Sequence, residues 1–173
     1  MTRQILVGGV PIGGGAPVVI QSMLNTKTTD VEGSLRQIRA LAAAGCQVAR
    51  LAVPNREAAR GFAEICKESP LPLVADIHFD YQLAIAAAEG GASKIRINPG
   101  NIGGEDRVKA VVEVCKDKHI PIRIGVNGGS LDKRLLEKYG HPTAEALVAS
   151  AFEHLELLEK QGFYDTCVSM KSS

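Results

Sequence analysis

Three arginines recur in one pattern. Arg50, Arg96 and Arg123 each sit inside a short apolar run, and each is followed four or five residues later by an asparagine, Asn55, Asn101 and Asn127. Asn98 lies between the second arginine and its asparagine. Another run, "PLVADIH", ends with Asp76 and His78, and the run "DTCVSMK" ends with Lys171. A single arginine in such a run has a plain explanation: an ion pair at a rim, or an aliphatic stem that lets the head reach water.

Three arginines and a lysine on separate runs ask for more. If the runs converge, their like charges repel by several kcal/mol at low dielectric unless a counter-ion is present. Asp76 is the one acid of the set. A multiply charged anion answers the demand, and the planar guanidinium fork favours phosphate through paired N–H···O bonds. Four cations suggest a diphosphate rather than a monophosphate.

The amides and the acid–base residues each carry two readings. Asn98, Asn101 and Asn127 can read substrate hydroxyls, or can serve as loop formers that tolerate positive φ. Asp76 and His78 lie two apart on one run, so their side chains share a face. They form an acid–base pair, or His78 bonds a neighbouring loop. His119, His141 and His154 carry no assigned chemistry.

The runs that hold these residues are strands alternating with helices. A hairpin opens the chain, with strands at Ile5–Val7 and Val10–Ile12 flanked by glycines. The repeating part is predicted as strands Val18–Ser22, Val48–Val53, Pro72–Ile77, Lys94–Asn98, Pro121–Val126 and Asp165–Met170. The helix after the first strand is capped by Asp30, buries Leu35, Ile38, Leu41 and Ala42, and ends at Gly45. Asn55 caps the second, with Ala59, Phe62, Ile65 and Cys66 on its apolar face. Asp80 starts the third, through Leu83, Ala84 and Ala87 to Gly90–Gly91.

The fourth helix carries Val108, Val111, Val112 and Cys115. A long Gly-rich loop leads to the last, Thr143–Gln161, with Leu147, Ala151, Leu155 and Leu158 inward.

Strands joined by helices imply a parallel sheet, since parallel neighbours need crossovers. A doubly wound sheet and a barrel compete. No GxGxxG follows the first strand; "GGVPIGGGAP" precedes it, in the hairpin. Polar residues at the exits of many strands are the barrel pattern. The predicted fold class is α/β: a (β/α)8 TIM-type barrel truncated to about six β/α units, with a short N-terminal β-hairpin, as one domain over residues 1–173.

Composition excludes several classes. With 173 residues, 45 % hydrophobic and 23 % charged content, and a net charge of +1, the chain is an ordinary globular sequence with no global attraction to nucleic acid or a membrane. No apolar run approaches the ~20 residues of a membrane helix, and the start lacks a secretory signal. Cys46, Cys66, Cys115 and Cys167 are scattered without metal-ligand spacing. They read as buried thiols of a reducing cytoplasm, with no metal ligand set in this chain.

The stretches "QSMLNT", "AGCQVARLAVP", "LPLVADIHFDYQLA", "KIRINPGNIG", "PIRIGVNGGSL" and "LLEKYGHPTAEALVASA" together resemble the 4-hydroxy-3-methylbut-2-enyl diphosphate synthases, iron–sulfur enzymes of the non-mevalonate route of isoprenoid biosynthesis. The resemblance runs from about Val18 to Lys171. It implies an oxidoreductase that opens the ring of 2-C-methyl-D-erythritol 2,4-cyclodiphosphate in a two-electron reduction. It implies a barrel that binds the diphosphate and a separate C-terminal domain holding a 4Fe–4S cluster through three Cys and one Glu. A homodimer, and ferredoxin or flavodoxin as electron donor, are implied too.

On this resemblance the substrate-binding residues are Arg50, Arg96, Asn98, Arg123, Asn127 and Lys171, with Asp76 and His78 in catalytic positions. Leu24 and Lys27 depart from the family's usual polar and acidic residues after the first strand. Two barrel strands and the cluster domain are expected outside this chain, which is then an inactive, cofactor-free fragment that pairs its open edges by dimerising. Two other functions fit the same mouth. One is a dihydropteroate synthase-like barrel, for which 4 % aromatics and no Trp supply little stacking surface. The other is a non-enzymatic anion-binding or assembly module.

Overall fold

Asp30, Asn55, Asp80 and Thr143 each accept a hydrogen bond from a backbone amide two or three residues ahead, and each opens a helix. These side chains satisfy donors that the first turn of a helix leaves without partners. The four helices they start return the chain to the same end of the sheet each time. The computed structural model describes residues 2–171.

The hairpin is β1 (Ile5–Val7) and β2 (Val10–Ile12), antiparallel with Val7 opposite Val10. The repeating part follows as β3 (Gln21–Met23), α1 (Val31–Ala43), β4 (Val48–Ala52), α2 (Arg56–Glu68), β5 (Leu73–Asp76), α3 (Tyr81–Glu89) and β6 (Lys94–Ile97). Then come a short helix α4 (Pro99–Ile102), α5 (Glu105–Asp117), β7 (Ile122–Asn127), a 3-10 turn (Gly128–Ser130), α6 (Lys133–Tyr139), α7 (Ala144–Lys160) and β8 (Thr166–Lys171).

The six strands β3 to β8 form one parallel sheet in sequential order. A doubly wound sheet reverses its strand order at a switch point; this one never does, and it curls as the arc of a TIM-type barrel. The two faces differ accordingly. Ala49, Leu51, Leu73, Ala75, Ile77, Ile95, Ile97, Ile122 and Ile124 join the helices in one core, with Phe62, Ile65, Val111 and Leu158 fully buried against them. Burying one such Ile or Leu side chain contributes about 1.5–3 kcal/mol. The alternate residues of the same strands turn to the concave face, because side chains in a strand point to opposite sides in turn.

The hairpin closes the lower end of that concave face. Ile5 and Val7 pack with Val48 and Val74, which sit near the starts of β4 and β5, in a small separate core. Above this apolar floor the concave face is polar.

Three local expectations are corrected. The first strand of the sheet begins at Gln21 rather than Val18. Val18 is 94 % exposed, and pairing begins only when the Ile20 carbonyl accepts from Gln47 and Val48. "PGNI" after β6 forms a helical turn, where Pro99 at the first helical position suits a helix start. The Gly-rich loop before α7 contains α6, started by Asp132, whose carboxylate accepts from the Arg134 amide at 2.8 Å.

Candidate functional site

Arg96 comes first, because strand pairing decides where its head goes. In register, Asp76, Arg96, Arg123 and Cys167 stand side by side on β5, β6, β7 and β8. All four are alternate to helix-facing residues, so one row of the concave face carries an acid and two arginines. Arg50 sits on β4, one inward position lower, opposite Val74.

Asp76 is 1 % exposed and receives two guanidinium groups. Arg50 donates from Nε at 3.1 Å and from Nη2 at 2.5 Å to Oδ2. Arg96 donates from Nη1 to Oδ1 at 3.2 Å. His78 places Nε2 3.5 Å from Oδ2 and is half exposed at the upper rim. Thus the plain reading of an arginine in a strand, an ion pair, holds for Arg50 and Arg96, and one buried carboxylate serves both.

Arg123 is different. Among the described residues it makes no ion pair and no side-chain hydrogen bond. Burial lowers its pKa, and the nearby Arg50 and Arg96 charges lower it further, while Asp76 acts the other way. Burial first, and like charges second, disfavour the charged form of this guanidinium.

Sequence reasoning missed a further cation. Lys94 is two residues before Arg96 and therefore on the same face, at the first position of its strand. It is 2 % exposed, and among the described residues its ammonium donates only to Gln21 Oε1, at 3.5 Å. Burial lowers its pKa, with Arg123 and Arg50 adding repulsion and Cys167 opposing it. Lys94, Arg123, Gln21 and Cys167 line a cavity of about 460 Å³ on the concave side. One carboxylate therefore faces four cations at this level.

The asparagines hold the rim. Asn98 Oδ1 accepts from the Gly100 amide at 3.1 Å and Asn127 Oδ1 from the Gly129 amide at 3.2 Å, so each caps the turn that carries the chain over the strand end. Their backbones have negative φ, which sets aside the positive-φ reading for both. Asn55 caps α2 in the same way. Lys171 pairs in register with Asn127 at the upper end of β8 and is exposed. The structure thus gathers Arg50, Asp76, Arg96 and Arg123 in the barrel, and puts His78, Asn98, Asn127 and Lys171 around its upper end. Leu24, one of the departures from the family pattern, is buried in the main core, and its amide donates to the Arg50 carbonyl.

Among the described residues no three His, Cys, Asp or Glu side chains stand close enough to hold a metal ion. The thiols of Cys66 and Cys115 are pushed up to about 12 by burial. No described helix is long and apolar enough to cross a membrane.

The chain matches the GcpE TIM-barrel domain over residues 2–173. It is 59 % identical over 172 residues to 4-hydroxy-3-methylbut-2-en-1-yl diphosphate synthase (flavodoxin) of Idiomarina loihiensis, covering 99 % of this chain and 46 % of the relative. The proteins of the same name from Maridesulfovibrio salexigens and Bacillus subtilis are also 59 % identical, covered to 48 % and 46 % of their lengths. The chain spans about half the length of these curated relatives.

Among solved structures, dihydropteroate synthase from Xanthomonas albilineans superposes with a TM-score of 0.64 at 18 % identity, over 95 % of this chain and 63 % of that one. Phospho-2-dehydro-3-deoxyheptonate aldolase from Thermotoga maritima gives 0.62 at 16 % identity, over 96 % and 45 %. At such identities the two structures attest the barrel fold alone. The row of basic residues on a sequentially ordered parallel arc and the match along nearly every residue agree, and this chain belongs to the GcpE TIM-barrel domain family.

Proposed function

We propose that the concave face binds the diphosphate of 2-C-methyl-D-erythritol 2,4-cyclodiphosphate, as the substrate-binding part of a 4-hydroxy-3-methylbut-2-enyl diphosphate synthase. The observation that carries the reading is Arg123, a half-buried guanidinium without a counter-ion among the described residues, beside two arginines that already share Asp76. A diphosphate supplies the missing negative charge. Arg123 and Lys94 gain a partner, and Arg50 and Arg96 keep N–H donors beyond those given to Asp76. Lys171, Asn98 and Asn127 at the upper end take the more exposed part of the ligand.

In this reading Asp76 fixes the direction of two guanidiniums. Its two oxygens are already committed to them, which leaves His78, half exposed and 3.5 Å from Asp76 Oδ2, as the group able to exchange a proton with a bound substrate. The names of the relatives point to flavodoxin as the source of the two electrons. The residues of this chain do not fit a 4Fe–4S cluster: the described residues offer no grouped ligand set, and Cys66, partly buried, and Cys115, buried, are held as neutral thiols. The reduction is therefore assigned to the whole protein, and binding and orientation to this barrel portion.

Loss of one charge-assisted contact costs roughly 1.5–3 kcal/mol, so Arg96→Ala should weaken cyclodiphosphate binding by about ten- to a hundredfold. Calorimetric titration of both proteins measures it. Equal affinities would remove Arg96 from the site.

A further inference from the structure

Gly125 lies on β7, two residues beyond Arg123, on the concave face beside Ser169 of β8. Its backbone is not among those with positive φ, so the chain path does not call for glycine here. A glycine inside a strand also weakens it relative to a residue with a side chain. The reason for it must then be space.

That space belongs to Arg96. A methyl carbon built at Gly125 would stand 2.5 Å from Arg96 Nε and 2.6 Å from Cζ, and closer still to Nη2. At such approaches the Arg96 guanidinium has to move. The guanidinium lies against the bare backbone of β7 and from there reaches back to Asp76 Oδ1 at 3.2 Å on β5. Arg96 is thus held from two sides, by a carboxylate on one neighbouring strand and by a missing side chain on the other.

We infer that Gly125 is a positioning residue: the absence of its side chain is the seat that fixes where the Arg96 guanidinium meets a bound phosphate. The inference rests on the anion-binding reading of the site. Any side chain at residue 125 displaces the far end of a flexible arginine while leaving the strand able to form, so aim is lost and the fold is kept. The same crowding should not trouble a slender ammonium at residue 96.

Gly125→Ala, Arg96→Ala, Arg96→Lys and the two double variants test this by two readouts, melting temperature without ligand and affinity for inorganic pyrophosphate. Gly125→Ala is expected to lower the melting temperature of the otherwise unaltered chain by several degrees. In the Arg96→Ala and Arg96→Lys backgrounds it is expected to leave the melting temperature unchanged or raise it, since alanine suits a strand better. It should weaken pyrophosphate binding about tenfold alone and add nothing in Arg96→Ala, the non-additivity of two groups acting as one. Equal melting losses in all backgrounds, or none in any, overturn the seat. A background-dependent melting loss together with pyrophosphate affinity indifferent to Arg96→Ala overturns the anion reading and, with it, the positioning role.

Discussion

Asp76 and Arg96 stand directly opposite each other on adjacent parallel strands, joined by a 3.2 Å bond from Nη1 to Oδ1. Arg50 takes the other oxygen from the strand on the far side. A single buried carboxylate therefore aligns two cations drawn from two strands, and a third, Arg123, completes the row without an ion-pair partner among the described residues. The ion pairs organise the site and leave its charge unbalanced.

Asp76→Asn removes the one negative charge. Breaking a buried ion pair from one side costs about 3–5 kcal/mol, because the surviving charge stays desolvated. Denaturant unfolding should register a loss of that size. Added pyrophosphate should restore part of it by binding only the folded chain. A variant as stable as the parent would mean that Asp76 is not the anchor of Arg50 and Arg96.

Lys94 makes a pH-dependent prediction. Its folded pKa lies below its unfolded value of about 10.4. Between the two values the unfolded chain binds more protons, so stability rises with pH across that window. Below the folded pKa the cost of burying the charge is present in full. Lys94→Met should therefore be more stable than the parent at neutral pH, and the advantage should shrink as pH climbs toward 10.4. An advantage that is absent or independent of pH contradicts a buried, poorly partnered ammonium.

The thiols give a chemical check. With pKa values of about 12, Cys66 and Cys115 hold only about one thiolate in 10⁴ at pH 8. A disulfide reagent should leave both unmodified in the native chain and label them on unfolding. Rapid native labelling of either would contradict the packing of α2 or α5 against the sheet.

The sheet edges predict association. β3 and β8 each pair on one side only, and Ile20, Met23 and Met170 beside them are 59 %, 46 % and 54 % exposed. Unpaired edges with apolar side chains recruit other strands. Sedimentation of the purified chain should show self-association at micromolar concentration. A sharp monomer boundary would contradict it.

Most of the fold was legible because the caps and the apolar alternation are local signals. Asp30, Asn55, Asp80 and Thr143 announced their helices, and Ile95, Arg96 and Ile97 announced a two-faced strand. The failures are local too. Val18 is as apolar as a strand residue, but only pairing distinguishes a strand from an exposed approach to one. In α6 a single buried residue, Leu135, left no periodicity to read among glycines. The convergence of Arg50, Arg96 and Arg123 followed from the fold class. Their split into two paired and one unpaired cation did not, because it depends on strand register, which sets Asp76 beside Arg96 and above Arg50. Lys94 could have been found by counting two back from Arg96; its burial came only with the curl of the sheet.

The central claim is that Arg123 is a cation held ready for a phosphorylated ligand. Titration of 2-C-methyl-D-erythritol 2,4-cyclodiphosphate into the chain and into Arg123→Ala, with melting temperatures of both, tests it most directly. Removing a half-buried charge that has no ion pair among the described residues should leave the free variant as stable as the parent or more so, while its affinity falls at least tenfold. A chain that binds no cyclodiphosphate, or a variant that binds it as well as the parent, would contradict the claim.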